Sequence, residues 1–266
     1  MTLKQLMDLR GRRALVTGGG GHLGRQFAET LAELGADVIL VDRAGSAIAQ
    51  SAGELAEQWG VQVEHRFCDL EQEDERLALA RWVGEDKRGL SILFNNAAFV
   101  GTTELAGWAV DFEAQSVEAW RRAIEVNLTA GFSLCRHLKP VMEASTGPSI
   151  INIASIYGTL GPDWSLYEGT AMKNPAAYSA SKGGLIQLTR WLATTLAPRI
   201  RVNTISPGGI FRGQPEVFIK RYEARTPLGR MARELDFKGT AAYLASDLSA
   251  YVTGQNLMVD GGWSAW

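Results

Sequence analysis

Short aliphatic runs alternate with longer segments whose apolar positions recur every three or four residues, from about Arg12 to the end of the chain. Residues 14–18 read as a buried strand entering a turn, and 22–36 follow with Leu23, Phe27, Leu31 and Leu34 on one helical face. Gly35 stops that helix. Residues 37–42 read as a second strand, 46–60 as a helix closed by glycine, 61–67 as a third strand, 71–85 as a helix and 91–97 as a fourth strand. A long helix is expected over 116–143, broken near Pro140. A fifth strand over 149–155, a helix over 176–197, a sixth strand over 200–208, a helix near 233–246 and a strand over 256–260 complete the pattern.

Strands separated by helices of this length form a parallel sheet with right-handed crossovers and helices on both faces. The expected fold is therefore α/β, a doubly wound parallel sheet of about seven strands. No linker, repeat or low-complexity stretch interrupts it, so residues 1–266 are expected to form one domain. The irregular stretches 98–115, 157–175 and 208–230 all follow carboxyl ends of strands, where open α/β sheets bind ligands. Loops this long are unusual unless functional, which marks them as substrate loops.

Composition narrows the partners. With 46% hydrophobic residues and a net charge of −2, the chain is neither disordered nor globally basic. Nucleic acid and anionic membranes are thereby disfavoured as partners, and a small molecule is expected. No apolar run approaches the roughly 18 residues of a membrane span. Cys68 and Cys135 make no disulfide framework and have no CxxC or His partner at metal spacing, so no metal is expected and the expected location is cytoplasmic. Glycine is 29 of 266 residues, about 11% against an average near 7%.

Four of those glycines are consecutive. Thr17-Gly18-Gly19-Gly20-Gly21-His22-Leu23-Gly24 joins the first strand to the first helix, where the backbone can approach a pyrophosphate and the helix N-terminus offers free N–H groups. Asp42 ends the second strand 24 residues beyond Gly18, the place for a carboxylate that accepts from adenosine ribose hydroxyls and repels a 2′-phosphate. NAD is therefore expected ahead of NADP, with Arg43 softening the preference. Asp69, followed by Leu70, is placed either to accept from an adenine amino group or to cap the next helix.

Tyr178-Ser179-Ala180-Ser181-Lys182 opens the helix expected over 176–197, and residues four apart share a face. A phenol is a poor base at neutral pH; a neighbouring ammonium and a positive nicotinamide both favour its ionised form.

Taken together, the glycine turn, Asn95-Asn96-Ala97-Ala98, Asn127, Ser155, the Tyr178–Lys182 motif, Pro207-Gly208 and residues 254–262 resemble the short-chain dehydrogenase/reductase family, in the family's order and over about residues 9–262. The resemblance implies a Rossmann-type sheet and hydride transfer between a nicotinamide cofactor and a secondary alcohol or ketone. It implies Tyr178 as general acid/base, Ser155 as the group that hydrogen-bonds the reacting oxygen, Lys182 as the tuner of the phenol and holder of the nicotinamide ribose, and Asn127 as the anchor of a proton path. Thr17, Gly18, Gly20, Gly21, His22, Leu23, Gly24, Asp42, Arg43, Asp69, Leu70, Asn96, Ala97, Tyr178, Lys182, Pro207, Gly208 and Ile210 would contact the cofactor, with Asn95 also lining the adenosine ribose. Three positions depart from the family: His22 stands for a glycine and would cap the helix or touch a phosphate, Ala98 for another glycine, and Phe211-Arg212 for a threonine near the carboxamide. A homo-oligomer, dimer or tetramer, built on the helices at 116–143 and 176–197, is implied as well.

Ser155 and Tyr178 are 23 residues apart, about ten more than the family's habit. The extra segment carries Asp163, Trp164, Tyr167, Glu168 and Asn174, a mixture of aromatic faces and polar edges suited to a polyhydroxylated ring. Arg212 is the expected contact for an anionic group of the substrate. The leading expectation is an oxidoreductase on a sugar or sugar-derived substrate, placing the chain in carbohydrate metabolism. The alternatives are an NADP-dependent 3-oxoacyl-(acyl-carrier-protein) reductase, which Asp42 disfavours, and a catalytically silent nucleotide-binding protein. Trp263 and Trp266 are expected to seek a partner surface.

Overall fold

The computed structural model describes residues 1–266. In chain order the elements are α1 (Leu3–Met7), β1 (Arg13–Thr17), α2 (His22–Glu33), β2 (Asp37–Asp42), α3 (Ile48–Trp59), β3 (Val63–Phe67), α4 (Glu73–Glu85), β4 (Ile92–Asn95), α5 (Val117–Ile124), α6 (Ala130–Glu143), β5 (Ser149–Ile153), α7 (Ala176–Leu196), β6 (Arg201–Pro207), α8 (Glu216–Arg225), α9 (Lys238–Ala245) and β7 (Asn256–Val259). The seven strands form one parallel sheet in the order β3-β2-β1-β4-β5-β6-β7. The order reverses direction between β1 and β4, which opens a crevice beyond their carboxyl ends.

Side chains alternate across a strand, and the apolar runs are continuous because both faces are covered. Val16, Leu40, Phe94 and Ile151 enter one layer with Phe27, Leu31, Ile48 and Leu244. Their strand neighbours Leu15, Ile39, Leu93 and Ile150 enter the other layer with Leu79, Val83, Leu134 and Leu192. Every residue of β1, β4 and β5 is buried, so the strands that carry the crevice are its most rigid support.

The expected break near Pro140 is absent: α6 runs through that residue. Pro140 lies on the exposed side of the helix, where the carbonyl it leaves without a backbone donor meets solvent. The irregularity falls earlier, as a π turn over Glu125–Thr129 that joins α5 to α6 and contains Asn127. Two elements were not expected from the pattern, α1 and α8, the latter inside the stretch 208–230. Trp263 packs within the chain, stacked on Tyr222 with ring centroids 4.3 Å apart; only Trp266 projects outward.

Candidate active site

The glycine turn is held from three sides. Thr17 donates its hydroxyl to Phe94 O (3.2 Å) and accepts from the backbone N–H groups of Asn96 (3.0 Å) and Ala97 (3.1 Å). Asn96 donates its side-chain amide to Thr17 O (2.9 Å) and Gly18 O (3.3 Å). Gly18 has φ +64°, and a Cβ there would stand 2.9 Å from the Ala97 Cα, so the turn needs glycine for both reasons. On the third side Asp42 accepts from Gly20 N–H (2.9 Å) and from Arg43 N–H (2.8 Å), fixing its carboxylate at the lip of the turn.

Helix α2 begins there without a side-chain cap and without an acidic residue in its first turn. The N–H groups of His22, Leu23 and Gly24 find no acceptor within the protein. Unpaired donors at the positive end of a helix, beside exposed glycines, fit the diphosphate of a dinucleotide. His22 is the first helical residue and not the cap, which is Gly21. Its Nδ1 lies 3.8 Å from Glu234 Oε1, and the same oxygen holds Arg212 Nη1 at 2.6 Å.

Across the sheet, the carboxyl end of β5 and the start of α7 build a second cluster. Ser155 is buried, in extended conformation, and its Oγ accepts from Tyr157 N–H (3.2 Å) at the head of the short turn Ile156–Gly158. Tyr178 packs against the cluster of Trp108, Ala119, Ala123 and Ala177, which Phe99 and Leu105 also flank. Lys182, buried one helical turn later, donates its ammonium to Ile153 O (2.7 Å), with Nζ 5.7 Å from the Tyr178 ring centroid. Burial pushes the Tyr178 phenol up, and the neighbouring Ser155 hydroxyl opposes the shift. Burial also pushes Lys182 down to about 8.

Asn127 ties three elements together. It accepts from Phe99 N–H (2.7 Å) and donates to Phe99 O (3.3 Å) and to Ser181 Oγ (3.1 Å), whose hydroxyl goes on to Tyr178 O (2.8 Å). The π turn thus aims one carboxamide at both the 98–115 loop and the catalytic helix.

Other expected contacts are distributed differently. Asn95 points into the sheet instead of toward a ribose: its amide donates to Asn152 Oδ1 (2.8 Å), and Asn152 continues to Thr189 (2.8 Å), a buried polar ladder beneath the site. Asp69 accepts from Glu71 N–H (3.0 Å) and shapes the entry to α4, while the buried Leu70 accepts from Arg76. Pro207 ends β6 and Gly208 donates to Val259 O (3.0 Å). A Cβ on Gly208 would meet Asp260 Cα at 2.8 Å and Tyr222 Oη at 3.0 Å, which explains glycine beside this wall. Ile210 bridges Ala232 and brings the backbone back under the cleft.

Of the residues expected to meet substrate, Tyr167 enters the wall beside Ser155, and three do not meet it there. Asp163 accepts from Ser165 (3.1 Å to the N–H) and pairs with Arg225, because it caps the turn Trp164–Leu166. Its outer groove is lined by Arg221 and Trp266. Trp164 is exposed and leans on Tyr167. Arg212 is drawn by Glu234 to the glycine-turn side, leaving no evident anion contact beside Tyr178. The sequence reading missed Tyr157, Tyr222 and Glu234; only the Phe218–Tyr222 spacing hinted at the middle one, since their partners lie far away in the chain.

These features define a dinucleotide-dependent oxidoreductase acting on CH–OH groups. A family model described as Enoyl-(Acyl carrier protein) reductase matches residues 21–264. A probable galactose dehydrogenase, GalD, of Rhizobium meliloti (strain 1021) is 35% identical, over 98% of this chain and 99% of its own. A rhamnolipids biosynthesis 3-oxoacyl-(acyl-carrier-protein) reductase of Pseudomonas aeruginosa is 33% identical, over 96% of this chain and 97% of its own. The solved structure of NAD+-bound xylitol dehydrogenase superposes with TM-score 0.84 and 29% identity, over 96% of this chain and 99% of that one. Solved relatives include NADP-bound as well as NAD+-bound structures. The chain belongs to the short-chain dehydrogenase/reductase family.

Proposed function

We propose that this chain interconverts a secondary hydroxyl and a ketone on a sugar or polyol, using NAD ahead of NADP, with Tyr178 as the proton-transfer group. The observation that carries the reading is the meeting of Ser155, Tyr178 and Lys182 at the carboxyl end of β5, in the same crevice as the glycine turn. Relatives named for galactose, galactitol and xylitol support the substrate class.

The turn Gly18–Gly24 and the start of α2 would hold the diphosphate, and Asp42 the adenosine ribose. Ala97, Pro207, Gly208 and Ile210 would line the rest, with Lys182 beside the nicotinamide ribose. A bound nicotinamide supplies the hydride acceptor or donor. The Tyr178 Oη takes the proton from the substrate hydroxyl in oxidation and returns it in reduction. Ser155 Oγ donates its single hydroxyl proton to the same substrate oxygen, where charge develops. Asn127 would serve by fixing the helix and its exit to solvent. The 157–175 segment is tied to the 98–115 loop by Lys173 with Asp111, and Ala176 N–H, just beyond it, donates to Gln115 (2.9 Å).

Asp42 favours NAD because a carboxylate already bonded to two N–H groups repels a 2′-phosphate. The test is a panel of polyols, aldoses, sugar acids and a 3-oxoacyl thioester with both cofactors, followed by absorbance of the reduced nicotinamide. Polyol or aldose turnover with NAD at least about tenfold above NADP is expected from the carboxylate charge. Turnover confined to the thioester with NADPH would overturn the reading.

A pH dependence follows from the phenol. Oxidation needs the ionised form and burial raises its pKa, so kcat/KM for oxidation rises with pH through the alkaline range, while that for reduction falls once the proton is lost. Ser155→Ala removes the hydroxyl that opposes this rise. It is expected to move the inflection to higher pH and to lower kcat by about 10². An unchanged inflection in a pH–rate profile would separate Ser155 from the phenol.

Free, buried Cys68 and Cys135 are compatible with a reducing cytoplasm. Val117, Trp120, Phe132 and Trp191 are exposed on α5, α6 and α7, which supports a homo-oligomer, dimer or tetramer.

A further inference from the structure

The segment between Ser155 and Tyr178 brings two more phenols to the cleft. Tyr157 leaves the backbone two residues after Ser155, in the turn that Ser155 Oγ caps. Tyr167 arrives from the turn Trp164–Leu166, and the two hydroxyl oxygens meet at 2.8 Å. Both rings pack on one apolar wall with Ile156, Leu166, Phe218 and Tyr222, Tyr167 standing edge-on to Phe218 at 5.4 Å. The pair adjoins the reacting group through Ser155, whose Oγ accepts from the Tyr157 N–H (3.2 Å).

Two phenols have two protons, and one hydrogen bond between them uses one. Whichever oxygen donates, a second phenolic proton and several lone pairs are left over. Asn174, buried at the end of the segment, accepts from Ser179 Oγ (3.3 Å) and anchors that segment to the catalytic helix. The pair is part-buried, and a substrate hydroxyl supplies it with both an acceptor and a donor.

We propose that the Tyr157–Tyr167 pair is a hydroxyl-reading subsite, which binds a second hydroxyl of the substrate away from the reacting carbon and so selects polyols over monohydroxy alcohols. The pair selects because an alcohol without that second hydroxyl forgoes the hydrogen bond that the pair offers, the asymmetry that makes polar sites reject deoxy analogues. The inference rests on the reading of this cleft as the place where a secondary alcohol of a sugar or polyol reacts.

The test compares galactitol with cyclohexanol, both with NAD, in the wild type and in Tyr167→Phe and Tyr157→Phe, which remove a hydroxyl and keep the ring that packs. Each variant is expected to lose about ten- to a hundredfold in kcat/KM on galactitol, chiefly through KM, and to change less than about twofold on cyclohexanol. A merely structural role would lower both substrates together and drop the thermal midpoint. That outcome, or galactitol kinetics unchanged in both variants, overturns the subsite. Wild-type turnover of cyclohexanol with none of galactitol or any other polyol or aldose overturns the sugar reading itself, and the subsite with it.

Discussion

Tyr178→Phe is expected to lower kcat for alcohol oxidation by about 10³-fold while leaving dinucleotide affinity and the thermal midpoint close to wild type. The substitution removes one oxygen. The ring keeps its place against the cluster of Trp108, Ala119, Ala123 and Ala177, so the wall of the cleft stands. No other group takes over the proton: Lys182 is committed to Ile153 O, and Ser155, an unionised hydroxyl, accepts from Tyr157 N–H. Steady-state rates, with binding of the reduced cofactor followed by its fluorescence, check both halves. A variant that binds cofactor and retains more than about a tenth of the wild-type kcat removes Tyr178 from the chemistry.

Gly24→Ala attacks the other half of the crevice. A Cβ there would lie 2.0 Å from Gly18 O, 2.7 Å from Gly18 C and 2.9 Å from Asn96 Nδ2. The first two are backbone atoms, so no side-chain rotation relieves the clash. The turn must open, which pulls Asn96 from Thr17 O and Gly18 O and tilts the first N–H groups of α2 away from the diphosphate. The dissociation constant for NAD is expected to rise by about a hundredfold or more, equal to about 2.7 kcal/mol. Titration calorimetry measures it directly; unchanged affinity would mean that the diphosphate is held elsewhere.

The sheet was legible because its signals are local. The strands Arg13–Thr17, Asp37–Asp42 and Ser149–Ile153 are largely aliphatic runs with buried centres, and Gly35 and Gly60 close the helices after the first two. The glycine turn and the Tyr178–Lys182 spacing were legible for the same reason, as contiguous or one-turn patterns. Long-range partners were not. Arg212 looked like an anion contact until Glu234, 22 residues on, claimed it, and Asp163 looked like a substrate contact until Arg225 did. The helical irregularity was sought at Pro140 because proline is visible in sequence, whereas the π turn around Asn127 has no residue that announces it. Helix α8 hid behind its charges, since only Phe218 and Tyr222 of its ten residues are buried.

The most direct test of the central claim is a crystal structure of the chain with NAD and a polyol substrate bound together. The account predicts one substrate oxygen within roughly 2.6–3.2 Å of both Tyr178 Oη and Ser155 Oγ, with the diphosphate on the first turn of α2. A substrate oxygen bound away from both hydroxyls, or a diphosphate lodged off the glycine turn, would contradict it.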